Sequence, residues 1–135
     1  MKTGSINHIG IATLSLDEAE QIWSTLGFTP TKDHIIEDQG VKIRYMKGSG
    51  NTNIELLEPI SNDTPIGKFI KNRGVGIQQI AINVDDINSK IIELKNNGFK
   101  MINDKAITGS DGKMVAFIHP SSCGGVLVEL VENNT

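Results

Sequence analysis

Only one cysteine, Cys123, occurs in the 135 residues. A single thiol excludes an intrachain disulfide and a cysteine-based zinc cluster, and it agrees with a reducing compartment. Lying in Ser-Ser-Cys-Gly-Gly, it could act as a nucleophile, but a loop thiol with no evident paired base is more often incidental. Basic clusters are missing too: the 13 lysines and arginines run from Lys2 to Lys113 without gathering or alternating with aromatic rings, and the net charge is −3. The chain thus lacks the footprint of a nucleic-acid binder, and no nucleic-acid partner is expected. No apolar run approaches the roughly 18 to 20 residues that a membrane span needs. Because Met1-Lys2-Thr3-Gly4-Ser5 leads directly into a strand pattern, the expectation is an untargeted cytoplasmic protein with no membrane partner.

What the sequence does contain is a repeat. At a constant offset of 71 residues, Ile6/Ile77, His8/Gln79, Ile9/Ile80, Ile11/Ile82, Leu16/Ile87, Gly27/Gly98 and Phe28/Phe99 correspond. A second echo, Ile54-Glu55-Leu56-Leu57-Glu58 against Val128-Glu129-Leu130-Val131-Glu132, has an offset of 74. A loop of different length absorbs that small change of register. Either half alone is small for a stable core, so one domain over residues 1–135 is expected, with copies over about 5–59 and 76–132 and a connector helix over about 63–73.

Each copy reads as β-α-β-β-β. In the first strand, from about Ser5 to Thr13, Ile9, Ile11 and Thr13 share one face and His8, Gly10 and Ala12 the other. In the second copy Ile80, Ile82 and Val84 oppose Gln79, Ala81 and Asn83. Ser15-Leu16-Asp17-Glu18 has the form of a capping box, with Leu16, Ala19, Trp23 and Leu26 as a buried stripe that Gly27 ends. Asp85 or Asp86 caps the second helix, whose stripe is Ile87, Ile91 and Leu94. The helices are expected to cover the aliphatic strand faces and leave the small, polar faces open. Further strands are expected near 28–37, 41–47 and 52–58, and again near 99–102, 113–119 and 125–132. Asn62-Asp63-Thr64-Pro65 starts the connector helix, and Asn133-Asn134-Thr135 is an expected loose end.

Alternation places Glu55 and Glu129 among apolar neighbours, so each carboxylate is expected to be buried, and a buried carboxylate needs a partner or a metal. Two carboxylates, the His8 imidazole and the Gln79 amide would suit a divalent ion such as Zn²⁺, Co²⁺, Ni²⁺ or Mn²⁺. A lone strand histidine is more often a hydrogen-bonded structural residue, and these residues form no local motif. His34 reads as a surface residue, Trp23 as core, and His119-Pro120 as a structural turn.

Asn7-His8-Ile9-Gly10-Ile11-Ala12, Asp38-Gln39-Gly40-Val41, Ile54-Glu55-Leu56-Leu57-Glu58-Pro59, Val84-Asp85-Asp86-Ile87, Lys113-Met114-Val115-Ala116-Phe117-Ile118-His119-Pro120 and Gly124-Gly125-Val126-Leu127-Val128-Glu129-Leu130 together resemble methylmalonyl-CoA epimerases. These belong to the vicinal-oxygen-chelate superfamily, alongside glyoxalase I. The resemblance covers nearly the whole chain. It implies an α+β fold of paired β-α-β-β-β modules forming a cupped mixed sheet, helices outside, around one divalent metal. By that resemblance the metal ligands are His8, Glu55, Gln79 and Glu129. Epimerases usually carry His at the position of Gln79 and many carry Gln at that of Glu55. The glutamate base that some place just after the Gln-Gly-Val segment is replaced here by Lys42-Ile43.

The implied reaction is epimerisation of (2R)- and (2S)-methylmalonyl-CoA, an isomerase activity of propionate metabolism. The C2 proton is removed and returned on the opposite face through a metal-stabilised enolate, with Glu129 as leading base and Glu55 serving the other face. Lys113, Ser121 and Ser122 lie where the family approaches the acyl carboxylate or CoA, although Ser121 stands where lysine is common. Lys68 and Arg73 are candidates for the CoA phosphates, and a solvated charged helix face explains them equally. The implied partners are an acyl-CoA substrate and a second copy in a homodimer. A glyoxalase I-like lactoylglutathione lyase, favoured by Glu55, and a non-catalytic ligand-binding module, favoured by Gln79, remain open.

Overall fold

A computed structural model describes residues 3–133. Met1 and Lys2, which open the expected untargeted start, and Asn134 and Thr135 of the expected loose end lie outside the described residues. The order is β1 (Ile6–Ala12), α1 (Leu16–Thr25), β2 (Thr29–Pro30), β3 (His34–Ile36), a 3₁₀ turn (Glu37–Gln39), β4 (Val41–Lys47), β5 (Asn53–Pro59) and α2 (Pro65–Arg73). It continues with β6 (Gly76–Val84), α3 (Ile87–Asn96), β7 (Ile107–Thr108), β8 (Met114–Ile118), a second 3₁₀ turn (Pro120–Ser122) and β9 (Leu127–Glu132). The fold is α+β, as expected.

The described residues form two compact units, His8–Gln78 and a second made of residues 3–7 with 79–133. In the first, β1 runs parallel to β5 with Gly10 opposite Glu55. Strand β4 pairs antiparallel with β5, and β2 and β3 both pair with β4. In the second, β6 runs parallel to β9 with Ala81 opposite Glu129. Strand β8 pairs antiparallel with β9, and β7 with β8. The sequence repeat is thus a repeat of strand pairing, with a parallel β–α–β crossover in each copy.

Local chemistry sets the helix limits. The Ser15 hydroxyl accepts the Glu18 N–H at 3.2 Å, and the Asp86 carboxylate accepts the Ser89 N–H at 3.2 Å, so Asp86 rather than Asp85 is the cap. Gly27 and Gly98 follow the two helices at φ of 102° and 85°, where a Cβ would be strained. For α2, Thr64 accepts the Gly67 N–H at 3.1 Å and Pro65 occupies the first turn.

Helix α1 packs Leu16, Ala19 and Trp23 on Ile9, Ile11, Ile54 and Leu56. Helix α3 packs Ile87, Ile91 and Leu94 with Val84, Ala116, Val128 and Leu130. Those aliphatic faces were expected. The opposite faces are not open, however. His8, Gly10 and Ala12 are buried while Ile9 and Ile11 are only half-buried. In the first unit α2 covers the Ala12 end of this face, its Ile66, Phe69 and Ile70 joining Ala12, Val41, Ile43 and Leu57 in a second cluster on the face that carries Glu55. In the second unit Ala81, Val115, Val131 and Phe117 form the corresponding cluster.

Other expectations need correction. The strand near 28–37 is interrupted, ending in a 3₁₀ turn at Glu37–Gln39. Residues 99–102 contribute only a bridge between Met101 and Ile118, and β7 arises where no strand was expected. Leu26 is 61% exposed because the helix has already ended at Thr25. Trp23 is half-buried, edge-on to Phe28, and His34 is half-buried with its ring 5.2 Å from that of Tyr45.

Candidate active site

The four buried polar or charged residues among those described are the four expected ligands: His8 at 4%, Glu55 at 6%, Gln79 at 8% and Glu129 at 7% exposure. Each unit brings two of them together. His8 is opposite Asn53 in the β1–β5 ladder and Glu55 is opposite Gly10, so His8 meets Glu55 on the diagonal, Nδ1 to Oε2 3.0 Å. In the second unit Gln79 is opposite Leu127 and Glu129 opposite Ala81. Again the diagonal closes, Gln79 Nε2 donating to Glu129 Oε1 at 2.8 Å. Glycine and alanine make room for this: the residue directly opposite each carboxylate is small, Gly10 for Glu55 and Ala81 for Glu129, so the long side chain leans toward its diagonal neighbour. On the far side each carboxylate has an aromatic neighbour, Tyr45 opposite Glu55 and Phe117 opposite Glu129.

Each donor pair by itself has the spacing of two ligands on one divalent cation. Two donors at right angles around an ion with bonds of about 2.0 to 2.2 Å lie roughly 2.8 to 3.1 Å apart. Both diagonals, at 3.0 and 2.8 Å, have this spacing. Gln79 can offer its amide oxygen by turning over, since amide O and N are interchangeable in shape. The same spacing is that of a hydrogen bond, so each pair also satisfies itself. Among the described residues no group of three or more His, Cys, Asp or Glu side chains gathers in metal-holding geometry, and Gln79 supplies a donor of a different kind.

The expected substrate-binding residues are dispersed. Ser121 and Ser122 sit in the turn before β9. There the Ser121 hydroxyl lies 2.8 Å from His119 Nδ1 and the Ser121 N–H donates to the same nitrogen at 3.1 Å. The Ser122 hydroxyl accepts the Lys100 N–H at 2.9 Å. His119-Pro120 is thus a structural turn, as expected. Lys113 ends the β7–β8 turn, its N–H held by Asp111 at 3.0 Å. Lys68 and Arg73 are exposed on α2, the guanidinium of Arg73 lying 6.0 Å from the centre of the Phe69 ring. Cys123 is half-buried against the second unit's core. Burial pushes its thiol pKa up, which disfavours the reactive thiolate.

Sequence reasoning missed three features. Glu58 and Glu132 accept helix N–H groups; the visible signal was a second glutamate three residues after each site carboxylate, hence on the opposite strand face. Tyr45 and Phe117 as carboxylate neighbours follow only from strand register. Arg44 binds Asp33 through two bonds of 2.7 and 2.9 Å and reaches Asp17 at 2.9 Å and Glu20 at 3.2 Å. Hydrogen bonding to Arg44 holds the Asp33 carboxyl below the usual range, and the guanidinium pKa is raised reciprocally. No helix among the described residues is long and apolar enough to cross a membrane.

Residues 7–117 match the family model of the glyoxalase/bleomycin resistance protein/dioxygenase superfamily. Mitochondrial methylmalonyl-CoA epimerase of Bos taurus is 37% identical over 129 residues, covering 94% of this chain and 73% of that protein. The crystal structure of methylmalonyl-CoA epimerase from Mycobacterium tuberculosis superposes with a TM-score of 0.89 at 35% identity, over 94% of this chain and 86% of that one. A variant of the Streptomyces coelicolor methylmalonyl-CoA epimerase in complex with 2-nitronate-propionyl-CoA superposes with a TM-score of 0.88 at 32% identity, over 96% of this chain and 94% of that one. A shared fold, identities above 30% across almost the whole chain and the family-model match have one meaning: the chain belongs to the glyoxalase/bleomycin resistance protein/dioxygenase superfamily and, within it, to the methylmalonyl-CoA epimerase family.

Proposed function

We propose that this protein is an isomerase that interconverts (2R)- and (2S)-methylmalonyl-CoA, with a divalent ion (Co²⁺, Zn²⁺, Ni²⁺ or Mn²⁺) held by His8, Glu55, Gln79 and Glu129. The observation that carries the proposal is the pair of buried carboxylates at equivalent strand positions, each on a diagonal to a nitrogen-bearing side chain. The relatives named above supply the substrate class.

The C2 proton of methylmalonyl-CoA lies between a thioester and a carboxylate, so its removal needs a base and places negative charge on the flanking oxygens. Epimerisation then needs a proton returned to the opposite face. The ion, when bound, supplies positive charge beside those oxygens. Glu129 would remove the proton in one direction and Glu55 would serve the other face, the carboxylate acting as base being released from the ion or loosely held at that moment, because ligation lowers carboxylate basicity. Without the ion, Gln79 donates to Glu129 at 2.8 Å and His8 lies 3.0 Å from Glu55; with the ion bound, the donor atoms of Gln79 and His8 would turn to it. The ladder neighbours Gly10 and Ala81 keep the approach to each carboxylate free of bulk. Ser121, Ser122 and Lys113 contact the acyl-CoA in this reading, and Lys68 and Arg73 its phosphates. A homodimer belongs to the same proposal on family grounds, and sedimentation velocity tests it.

The deciding experiment is incubation with (2R)-methylmalonyl-CoA in deuterated water, with and without each added metal. Metal-stimulated deuterium uptake at C2 with loss of optical activity is expected. No exchange under any metal would discard the reading, and turnover of methylglyoxal with glutathione instead would favour a lyase.

A further inference from the structure

The repeated Glu-x-x-Glu segments contain two carboxylates for which the chemistry above has no use. Glu58 and Glu132 stand three residues beyond Glu55 and Glu129 and so point to the other strand face, toward the helices. There Glu58 accepts the backbone N–H of Leu16, the first residue of α1, at 3.1 Å. Glu132 accepts that of Ile87, the first residue of α3, at 3.0 Å. Neither replaces a missing cap. Ser15 and Asp86 already cap these helices through the N–H groups of Glu18 and Ser89.

What the extra bond adds is a link between strands. Helix α1 begins four residues after β1 ends at Ala12, and α3 begins three residues after β6 ends at Val84. A bond from Glu58 to the start of α1 therefore ties the end of β1 to β5, and a bond from Glu132 ties the end of β6 to β9. These are the strand pairs whose diagonals bring His8 to Glu55 and Gln79 to Glu129. A diagonal contact depends directly on how far one strand slides along its neighbour, because successive residues of a strand are about 3.3 Å apart.

We propose that Glu58 and Glu132 are positioning residues, each locking the slide of one parallel strand pair and thereby the spacing of the buried donor pair on the opposite face. This rests on the epimerase reading for its consequence in catalysis, though not for its geometry. The negative charge near a helix N-terminus also favours the carboxylate over a neutral acceptor.

The test compares Glu58→Ala, Glu58→Gln, Glu132→Ala and Glu132→Gln with wild type. It measures Co²⁺ affinity by calorimetry, the visible spectrum of the Co²⁺ form, kcat and KM for C2 deuterium exchange, and melting temperature. In protein without added metal it also measures the His8 ring ¹⁵N and Gln79 side-chain amide resonances. The alanine variants are expected to lose about 10-fold in Co²⁺ affinity and in kcat at unchanged KM, the scale on which outer-shell groups act. Glu58→Ala should move the His8 resonances and Glu132→Ala those of Gln79, with the glutamine variants recovering most of each change. A lower melting temperature with affinity, spectrum and resonances as in wild type would make both residues simple caps and overturn the proposal. Should an alanine variant not fold, the aspartate variant, with its shorter reach, is judged by the same readouts. A wild type that neither binds Co²⁺ nor exchanges deuterium would overturn the functional reading instead, leaving the resonances to decide the positioning.

Discussion

The two units solve one problem in two ways. At the ladder position opposite Leu56, beneath α1, the first unit has Arg44; at the corresponding position opposite Leu130, beneath α3, the second has the fully buried Ala116. Arg44 holds α1 through Asp17 and Glu20 and the β2–β3 link through Asp33. In the second unit the helix lies on apolar side chains, Ile87 and Ile91 against Ala116, Ile118 and Leu130. Strand pairing, helix caps and the carboxylate-bearing diagonal are common to both. The lesson is that the repeat constrains what must be placed, while the attachment of each helix is free to be ionic or apolar. A second difference bears on chemistry: an imidazole faces Glu55 and an amide faces Glu129.

Breaking the chemical half of the comparison should give the largest effects. Glu129→Gln keeps shape and a partner for Gln79 but removes the base, and we expect C2 deuterium exchange to fall by about 10² to 10⁴-fold. Glu55→Gln should show a comparable loss when the opposite enantiomer is supplied. Full activity of Glu129→Gln with metal bound would remove that residue as a base. Gln79→His makes the donor pairs alike; since imidazole is the stronger donor, Co²⁺ affinity measured by calorimetry should rise by about 10-fold or more.

The structural half gives smaller effects. Asp33→Asn breaks a two-bond charged contact with Arg44, whose side chain is 12% exposed, and should destabilise by about 1 to 2 kcal/mol in urea unfolding. Because the folded-state pKa of Asp33 is lowered, its contribution is present above the unfolded value near pH 4 and is lost as pH falls through the lower folded value. The gap between wild type and Asp33→Asn should therefore close on acidification below about pH 4. A gap independent of pH would show that packing, not charge, is what Asp33 contributes. Ser15→Ala removes only a cap and should cost about 1 kcal/mol or less, read as faster amide exchange in the first turn of α1.

Much of this was legible in the sequence because it depends on near neighbours. Ser15, Thr64 and Asp86 cap helices through bonds to the N–H three residues ahead, and Gly27 and Gly98 end them through their own φ angles. Period two placed Glu55 and Glu129 among apolar neighbours, and both are buried. Less was legible where a distant segment decides. Alternation separated the Ile9 face of β1 from the His8 face but assigned deeper burial to the wrong one, and α2, from beyond residue 64, covers the Ala12 end of the latter. The partners of Arg44 lie 11 to 27 residues away, and nothing in their spacing announces the cluster.

By itself, the sequence determined the duplication, the alternating faces, the helix caps and the burial of Glu55 and Glu129, whereas His8 and Gln79 were placed on a face expected to be open and entered the donor set through the family resemblance. The former follow from backbone geometry and side-chain chemistry within a few residues. Only the tertiary structure decided which donors meet, at 3.0 Å and 2.8 Å across parallel ladders, and that Glu58 and Glu132 reach helices on the opposite face. Pairing register brings together residues 42 to 50 positions apart, and register is a property of two strands at once, which no local pattern in either one contains.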